Sequence, residues 1–124
     1  MMEVKSYQDL IVWQKAMTLA EQCYRLTRAF PKEELFGMTS QIRRASISIP
    51  ANIAEGWGRM GTQEYIQFLR IAQGSLKELE THLLLTDRIG LARRDQISLL
   101  LEICTEIGKM FNGLLGSLKR KKNI

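Results

Sequence analysis

Residues 62–86 read TQEYIQFLRIAQGSLKELETHLLLT, and the spacing of apolar side chains in this stretch decides the fold class. Alternating steps of four and three residues connect Tyr65, Leu69, Ala72, Leu76, Leu79, Leu83 and Thr86. Such steps average about 3.5 residues, which is the seam period of helices packed in a left-handed bundle. The stretch therefore predicts a long helix that buries one face against other helices.

Three further segments repeat this spacing. Residues 10–30 carry two adjacent apolar stripes and end before Pro31, residues 35–49 carry one stripe, and residues 97–118 carry another. Because the links between the segments are short, neighbouring helices are expected to run antiparallel. The predicted fold is all-α, an antiparallel up-down-up-down four-helix bundle with left-handed packing.

Polar and glycine residues indicate where the helices begin and end. Asp9 is predicted to be the N-cap of the first helix, and Thr62 that of the third. The start of the second helix stays open: Gly37 weakens a first turn that begins at Leu35, and Thr39 or Ser40 is the alternative cap. Gly90 is predicted to end the third helix, because glycine adopts the left-handed conformation of a C-terminal cap.

The length and charge of the chain predict one domain with a basic tail. The 124 residues fit a single domain over residues 1–118, followed by a tail over residues 119–124. The chain has 18 Lys and Arg residues and 13 Asp and Glu residues, and four of the basic residues lie in the tail. The body lacks the strong positive field of a dedicated DNA-binding domain. The tail is predicted either to contact phosphates or to be a solvated terminus.

Targeting signals and reactive cysteines are not expected. The N-terminal residues carry no apolar stretch, and no segment approaches the roughly 20 apolar residues of a membrane span. We therefore expect no signal peptide, no membrane contact and a cytoplasmic location. Cys23 and Cys104 match no metal-ligand spacing and are predicted to be small buried side chains.

The second helix contains a proline that breaks the helical pattern. Residues 45–59 read ASISIPANIAEGWGR, and Pro50 removes a backbone hydrogen bond to Ser46, so a kink is predicted. The side chains of Ser46, Ser48 and Asn52 are expected to bond the freed backbone groups. Two interpretations stay open: the kink lets this helix wrap its neighbours, or it shapes a surface for a ligand or a second subunit. The candidate contact residues are Ser48, Pro50, Asn52, Glu55 and Trp57.

The same region resembles a known family. The runs TSQIRRA at residues 39–45 and SIPANIAEG at residues 48–56 closely resemble the four-helix bundle family of 23S rRNA intervening-sequence proteins. The likeness continues in segments within residues 9–15, 30–33 and 74–80. This resemblance implies a homo-oligomer, typically a homopentamer. A related branch, the accessory protein of diversity-generating retroelements, implies RNA or DNA and a reverse transcriptase as partners.

Motifs for catalysis and for metal binding are missing from the sequence. Di-iron bundles use Glu-x-x-His pairs, but the single histidine, His82, has Leu79 three residues before it. Gly56, Gly58 and Gly61 have the spacing of a dinucleotide-binding loop, yet they end a helix rather than follow a strand, so a turn is predicted. We expect a non-enzymatic protein with no catalytic residue, metal, cofactor or small-molecule substrate.

Basic side chains on the helices are the candidate nucleic-acid contacts. The planar guanidinium of arginine suits phosphates and base edges, and Arg70 and Lys77 share one face of the third helix. For each of these side chains the alternative is simple solvation. The candidate contacts are Arg43, Arg44, Arg59, Arg70, Lys77, Arg93, Arg94, Lys119, Arg120, Lys121 and Lys122.

Two functional hypotheses follow from different classes. In the first, an oligomeric bundle binds RNA through basic patches that assembly repeats. In the alternative, an oligomeric adaptor presents a surface to a protein partner such as a reverse transcriptase, and the basic tail is incidental. The salt dependence of binding distinguishes the two hypotheses, because the affinity for RNA phosphates falls steeply as the salt concentration rises.

Overall fold

The computed structural model describes residues 3–122, apart from the side chain of Lys122, and its long elements are all helices. The four helices are α1 (Ile11–Arg28), α2 (Met38–Gly58), α3 (Thr62–Arg88) and α4 (Arg94–Lys122). Two single 3-10 turns, Tyr7–Asp9 and Lys32–Glu34, precede α1 and α2. No strand occurs within residues 3–122, so the predicted all-α class is confirmed.

Each helix lies beside its neighbours in an antiparallel arrangement. The side-chain pairs that join adjacent helices are Thr27–Arg43 at 2.9 Å, Ser48–Ser75 at 2.8 Å, Gln73–Asn112 at 3.1 Å and Lys15–Glu106 at 2.9 Å. In the described part of the chain, α1 does not approach α3 and α2 does not approach α4. The helices therefore occupy the four corners of an up-down-up-down bundle. The left-handed sense of packing and the kink at Pro50 stay predictions.

The core consists of the apolar stripes that the spacing predicts. Leu69, Leu76 and Leu83 are fully buried, and so are the two cysteines, which are both free thiols. Two members of the predicted stripes are exposed instead, namely Met17 and Leu35. Met17 belongs to the stripe at the edge of the buried face of α1, and Leu35 precedes the first residue of α2.

The helix caps differ from those predicted. The Asp9 carboxylate accepts the backbone N–H groups of Lys5 and Ser6, so it closes the 3-10 turn before α1 instead of capping α1. The N-cap of α3 is Gly61, and Thr62 is the first helical residue. At the other end of α3, Gly90 has the predicted positive φ, at 75°.

The second helix begins at Met38, between the start of its apolar stripe at Leu35 and the alternative caps Thr39 and Ser40. Its N-cap is Gly37 rather than Thr39 or Ser40, and the carboxylate of Glu34 accepts the N–H of Met38 at 3.1 Å. The capping acceptor therefore comes from Glu34 in the α1–α2 link and not from a side chain of α2, as Thr39 or Ser40 would have provided.

Hydrogen bonds around Pro50 follow a different pattern from the one expected. Ser46 donates to the carbonyl of Arg43, and Asn52 donates to the carbonyl and the hydroxyl of Ser48. Among the described residues no side chain bonds the carbonyl of Ser46, which is the group that Pro50 deprives of its donor. The prediction that these side chains serve the freed carbonyl is therefore wrong, because they reach carbonyls on other turns of the helix.

The basic segment at the C-terminus continues the last helix. Helix α4 extends to Lys122, so residues 119–122 of the predicted tail are helical. Residues 123–124 of that tail lie outside the described residues. The side chains of Lys119, Arg120 and Lys121 are exposed on this last turn of α4.

Candidate nucleic-acid interface

The antiparallel order of the helices collects basic side chains at one end of the bundle. The α1–α2 link and the α3–α4 link both lie at this end, together with the helix termini that they join. We call residues 25–44 and 83–96 the basic end; they contain eight Lys and Arg residues and four Asp and Glu residues. The other residues before 119 contain six basic and nine acidic residues. The nearly neutral body of the protein is therefore polarised along its length.

Three predicted contacts at the basic end are held by carboxylates. Arg93 contacts Asp95 at 3.1 Å, and Arg94 contacts Asp87 at 3.5 Å. Arg44 bridges to Glu78 on α3. These pairs are largely exposed, so they contribute little stability, and a phosphate can compete for the guanidinium groups.

A fourth predicted contact, Arg43, is part of the packing between α1 and α2. It is half-buried, its Nε donates to the hydroxyl of Thr27 at 2.9 Å, and its guanidinium carbon lies 4.5 Å from the centre of the Tyr24 ring. This cation–π contact and hydrogen bond fix the orientation of the side chain. Only the terminal nitrogens of Arg43 are left to meet a ligand.

Four further cations lie at the same end and were not among the predicted contacts. Arg25, Arg28, Lys32 and Arg88 are exposed, and none has a carboxylate within 4.0 Å in the described part of the chain. Three of them lie in the last turns of α1 and α3, where a cation interacts favourably with the helix dipole. The bundle topology was the signal that could have found them, since antiparallel helices bring these last turns together.

The opposite end of the bundle carries the second group of predicted contacts. Lys119, Arg120 and Lys121 are exposed there, with no carboxylate partner within the described residues. Arg59 lies at the same end but is paired with Glu55 at 2.7 Å and covers the Phe68 ring. The Glu55 carboxylate, as hydrogen-bond acceptor and opposite charge, raises the pKa of Arg59.

The remaining two predicted contacts lie on the outer face of α3, away from both ends. Arg70 is exposed and has no carboxylate partner among the described residues, whereas Lys77 lies 3.4 Å from Glu80. Eleven residues predicted as one set thus divide into two groups at the ends and a sparse pair between them. The structure does not bring them together as one continuous surface.

The candidate contact residues of α2 are used mainly inside the protein. Pro50 is buried, and Ser48 and Asn52 form a hydrogen-bonded group with Ser75 on α3. Glu55 is engaged by Arg59, and Trp57 is half-buried in the last turn of α2. Because the Pro50 ring is enclosed, this residue can affect a partner only through the shape of α2.

Two exposed apolar side chains lie on the neighbouring helices α2 and α3. Ile47 is 46% exposed and Ile71 is 51% exposed, and the Ser48–Ser75 hydrogen bond joins these two helices. The neighbouring outer positions, Ala51 and Gly74, have small side chains or none. We call these four residues the α2–α3 patch.

The described residues contain no cluster of side chains typical of a metal site, and the two cysteines are poor nucleophiles. No cluster of three His, Cys, Asp or Glu side chains is found there, and His82 has Glu78 as its neighbour at 3.4 Å. Burial raises the pKa of Cys23 and of Cys104 to about 12, which keeps both thiols protonated and poorly nucleophilic. None of the described helices is long and apolar enough to cross a membrane.

Comparison with known proteins agrees with this helical framework. A family model for the 23S rRNA-intervening sequence protein matches residues 8–113, which is most of the chain. The chain belongs to the 23S rRNA-intervening sequence protein family. The resemblance inferred from residues 39–45 and 48–56 is thereby confirmed.

A solved structure similar to this chain supports the fold. It is a protein of unknown function from the S23 ribosomal protein family of Bacteroides thetaiotaomicron VPI-5482, with 28% sequence identity and a TM-score of 0.76. The match covers 85% of this chain and 98% of that chain. A search of curated proteins finds no significant match. The comparisons thus define the family and the fold.

Proposed function

We propose that this protein is a non-enzymatic, homo-oligomeric bundle that binds RNA through its two cationic ends. The observation that carries the proposal is the polarised charge: five of the eight cations at the basic end have no carboxylate partner among the described residues. Unpaired cations at a surface attract phosphates without first breaking an ion pair. The last turn of α4 adds a second cationic surface at the opposite end.

The α2–α3 patch supports the oligomeric part of the proposal. Exposed apolar side chains beside small residues favour close packing against another surface, and covering Ile47 and Ile71 removes their apolar area from water. Cyclic assembly places the same end of each copy on the same face of a ring. A ring therefore repeats each cationic end, and repeated weak sites bind one RNA strand more tightly than a single site does.

The adaptor function is the second candidate. The observation that favours it is the exposure of Phe36, which is 91% exposed in the α1–α2 link and provides an aromatic anchor for a protein partner. A protein partner that buries apolar surface is bound with little dependence on salt. A reverse transcriptase is one such partner, as the family resemblance implies.

Fluorescence anisotropy with a labelled single-stranded RNA tests the nucleic-acid proposal. We expect binding that weakens by at least tenfold between about 50 and 200 mM salt, because cations that contact phosphates release counterions. No binding by the intact oligomer, or binding that does not respond to salt, would contradict RNA recognition and favour the adaptor.

Sedimentation velocity tests the oligomer separately. Ile47→Glu places a charge in the α2–α3 patch, and we expect it to yield monomers while circular dichroism stays unchanged. Leu99→Glu is the matched control, because Leu99 is exposed on α4, outside the patch. A wild-type monomer, or an oligomer that survives Ile47→Glu, contradicts assembly through this patch.

A further inference from the structure

A small pocket lies where α1 ends and α2 begins, within the basic end. Its volume is about 280 Å³, just below the range of roughly 300–1000 Å³ for sites that enclose drug-sized ligands. Its walls combine cationic, hydroxyl and apolar side chains. The residues that matter here are Thr27, Arg28, Lys32, Thr39 and Arg43, and we call this site the corner pocket.

The three cations of the corner pocket are not neutralised by ion pairs. Arg28, Lys32 and Arg43 have no carboxylate within 4.0 Å in the described residues, in contrast to Arg93 and Arg94 nearby. Arg43 is also held in place by Thr27 and Tyr24, so that ordering its side chain costs a ligand little. The pocket thus offers one fixed guanidinium and two exposed cations.

A hydroxyl in the same pocket is free to bind a ligand. Thr39 is only 5% exposed and lines the pocket, yet its hydroxyl takes part in no hydrogen bond among the described residues. The oxygen is not one of the enclosed polar atoms without a partner in the described residues, so a ligand in the pocket can reach it. An acceptor oxygen that enters the pocket therefore receives a hydrogen bond from Thr39.

The start of α2 contributes backbone donors beside the pocket. Within the described residues, the N–H groups of Thr39 and Ser40 have no acceptor, while Glu34 already accepts the N–H of Met38. Unpaired N–H groups at a helix N-terminus favour an anion. The Glu34 carboxylate, and Glu33 beside it in the link, oppose that effect in part, since both are negative charges close to the pocket.

We propose that the corner pocket binds one phosphate group. Tetrahedral phosphate oxygens accept several hydrogen bonds at once, which suits a fixed guanidinium, a hydroxyl and two further cations better than a flat carboxylate does. The side chains of Phe30, Pro31 and Leu35 form the apolar part of the pocket wall. The phosphate belongs either to a nucleic-acid strand or to a free phosphate ester, and the pocket chemistry is the same for both.

Titration of the full-length chain with inorganic phosphate at constant ionic strength, followed by calorimetry, tests the site. We expect saturable binding that Arg28→Gln with Lys32→Gln weakens at least tenfold. The matched control is Arg25→Gln with Arg88→Gln, which removes two unpaired cations at the same end but outside the pocket, and we expect it to change the affinity less than twofold. Equal weakening in both double variants, or no saturable binding by the wild type, overturns the proposal.

A hydroxyl variant and two competitors complete the experiment. Thr39→Val keeps the shape of the side chain, and we expect it to weaken phosphate binding several-fold while circular dichroism is unchanged; unchanged affinity in a folded Thr39→Val variant removes the hydroxyl from the site. Displacement of phosphate by an RNA oligonucleotide assigns the pocket to nucleic acid, and displacement by adenosine monophosphate alone assigns it to a free ester. Because phosphate binding is measured without RNA, the corner pocket and the proposed RNA function fail separately.

Discussion

Gly56 lies where α2 packs closely against α3. A Cβ atom at this position would lie 2.6 Å from Cβ of Phe68 and 3.2 Å from a ring carbon of Tyr65. We expect Gly56→Ala to lower the free energy of unfolding by about 1–3 kcal/mol, because the two helices must move apart. Urea denaturation measures this change.

Gly113 provides the matched control for this substitution. It is helical like Gly56 but is exposed on α4, and a Cβ there would meet no atom within 4 Å. Gly113→Ala should therefore raise the free energy of unfolding by about 0.5–1 kcal/mol, since alanine loses less backbone entropy in a helix. Similar effects at both positions would show that α2 and α3 are not in close contact at Gly56.

The Tyr65 hydroxyl is the single buried side-chain polar atom without a hydrogen-bond partner in the described residues. Burial raises the pKa of Tyr65 to about 12. We expect Tyr65→Phe to raise the free energy of unfolding by roughly 1 kcal/mol, because phenylalanine removes the unpaired group and keeps the ring. Tyr7→Phe serves as the comparison, and a marked loss of stability in Tyr65→Phe would mean that this hydroxyl has a partner.

The helices themselves were predictable from the sequence, whereas their caps were not. The stripe from Leu69 to Leu83 depends only on which residues are apolar, and it is buried as expected. A cap depends on the orientation of one polar side chain. The Asp9 carboxylate accepts backbone N–H groups that lie before α1, and the Glu34 carboxylate accepts the N–H of Met38 at the start of α2. A sequence shows that an acceptor is present but does not show which amide it meets.

Pro50 allows a test at the level of helix α2. We expect Pro50→Ala to leave the helix content unchanged, since α2 already continues through this residue, and to change the size of the oligomer if the proline shapes the outer face. Circular dichroism and light scattering measure the two quantities. If oligomer size and RNA affinity both match those of the wild type, Pro50 affects only packing inside the bundle.

At the scale of the whole molecule, the candidate site could be predicted only in part. The sequence identified Arg93, Arg94 and the basic segment after residue 118, because these cations are close together along the chain. It did not identify Arg28 or Arg88, since their proximity arises from antiparallel helices that bring distant last turns to one end. Nor could charge counts show that Arg43 is held by the packing of α1 on α2.

The two buried thiols make the stability of the bundle sensitive to alkaline pH. The pKa of each is raised from 9.0 to about 12, so the unfolded chain releases these protons at lower pH than the folded chain does. Burial of the protonated thiols therefore makes its full contribution to stability below pH 9.0. As pH rises from 9.0 toward about 12, the free energy of unfolding falls by up to about 1.4 kcal/mol per pH unit for each thiol.

Urea denaturation between mildly and strongly alkaline pH measures this dependence. We expect the free energy of unfolding of the wild type to fall more steeply with pH than that of a variant combining Cys23→Ala and Cys104→Ala. The comparison concerns the slope, because the alanines also create small cavities that lower stability at every pH. Equal slopes would show that the thiols are open to solvent.

The salt dependence of RNA affinity is the most direct measurement of the claim that cationic ends of the bundle contact phosphates. We expect the logarithm of the association constant to fall linearly with the logarithm of the salt concentration. A variant with glutamine in place of the four basic residues Lys119, Arg120, Lys121 and Lys122 should show a shallower slope. The difference is up to about 3, because each lost phosphate contact to a single strand removes roughly 0.7 from the slope. Circular dichroism should confirm that this variant is folded. A flat response in the wild type, or identical slopes in the two proteins at equal affinity, would contradict the account.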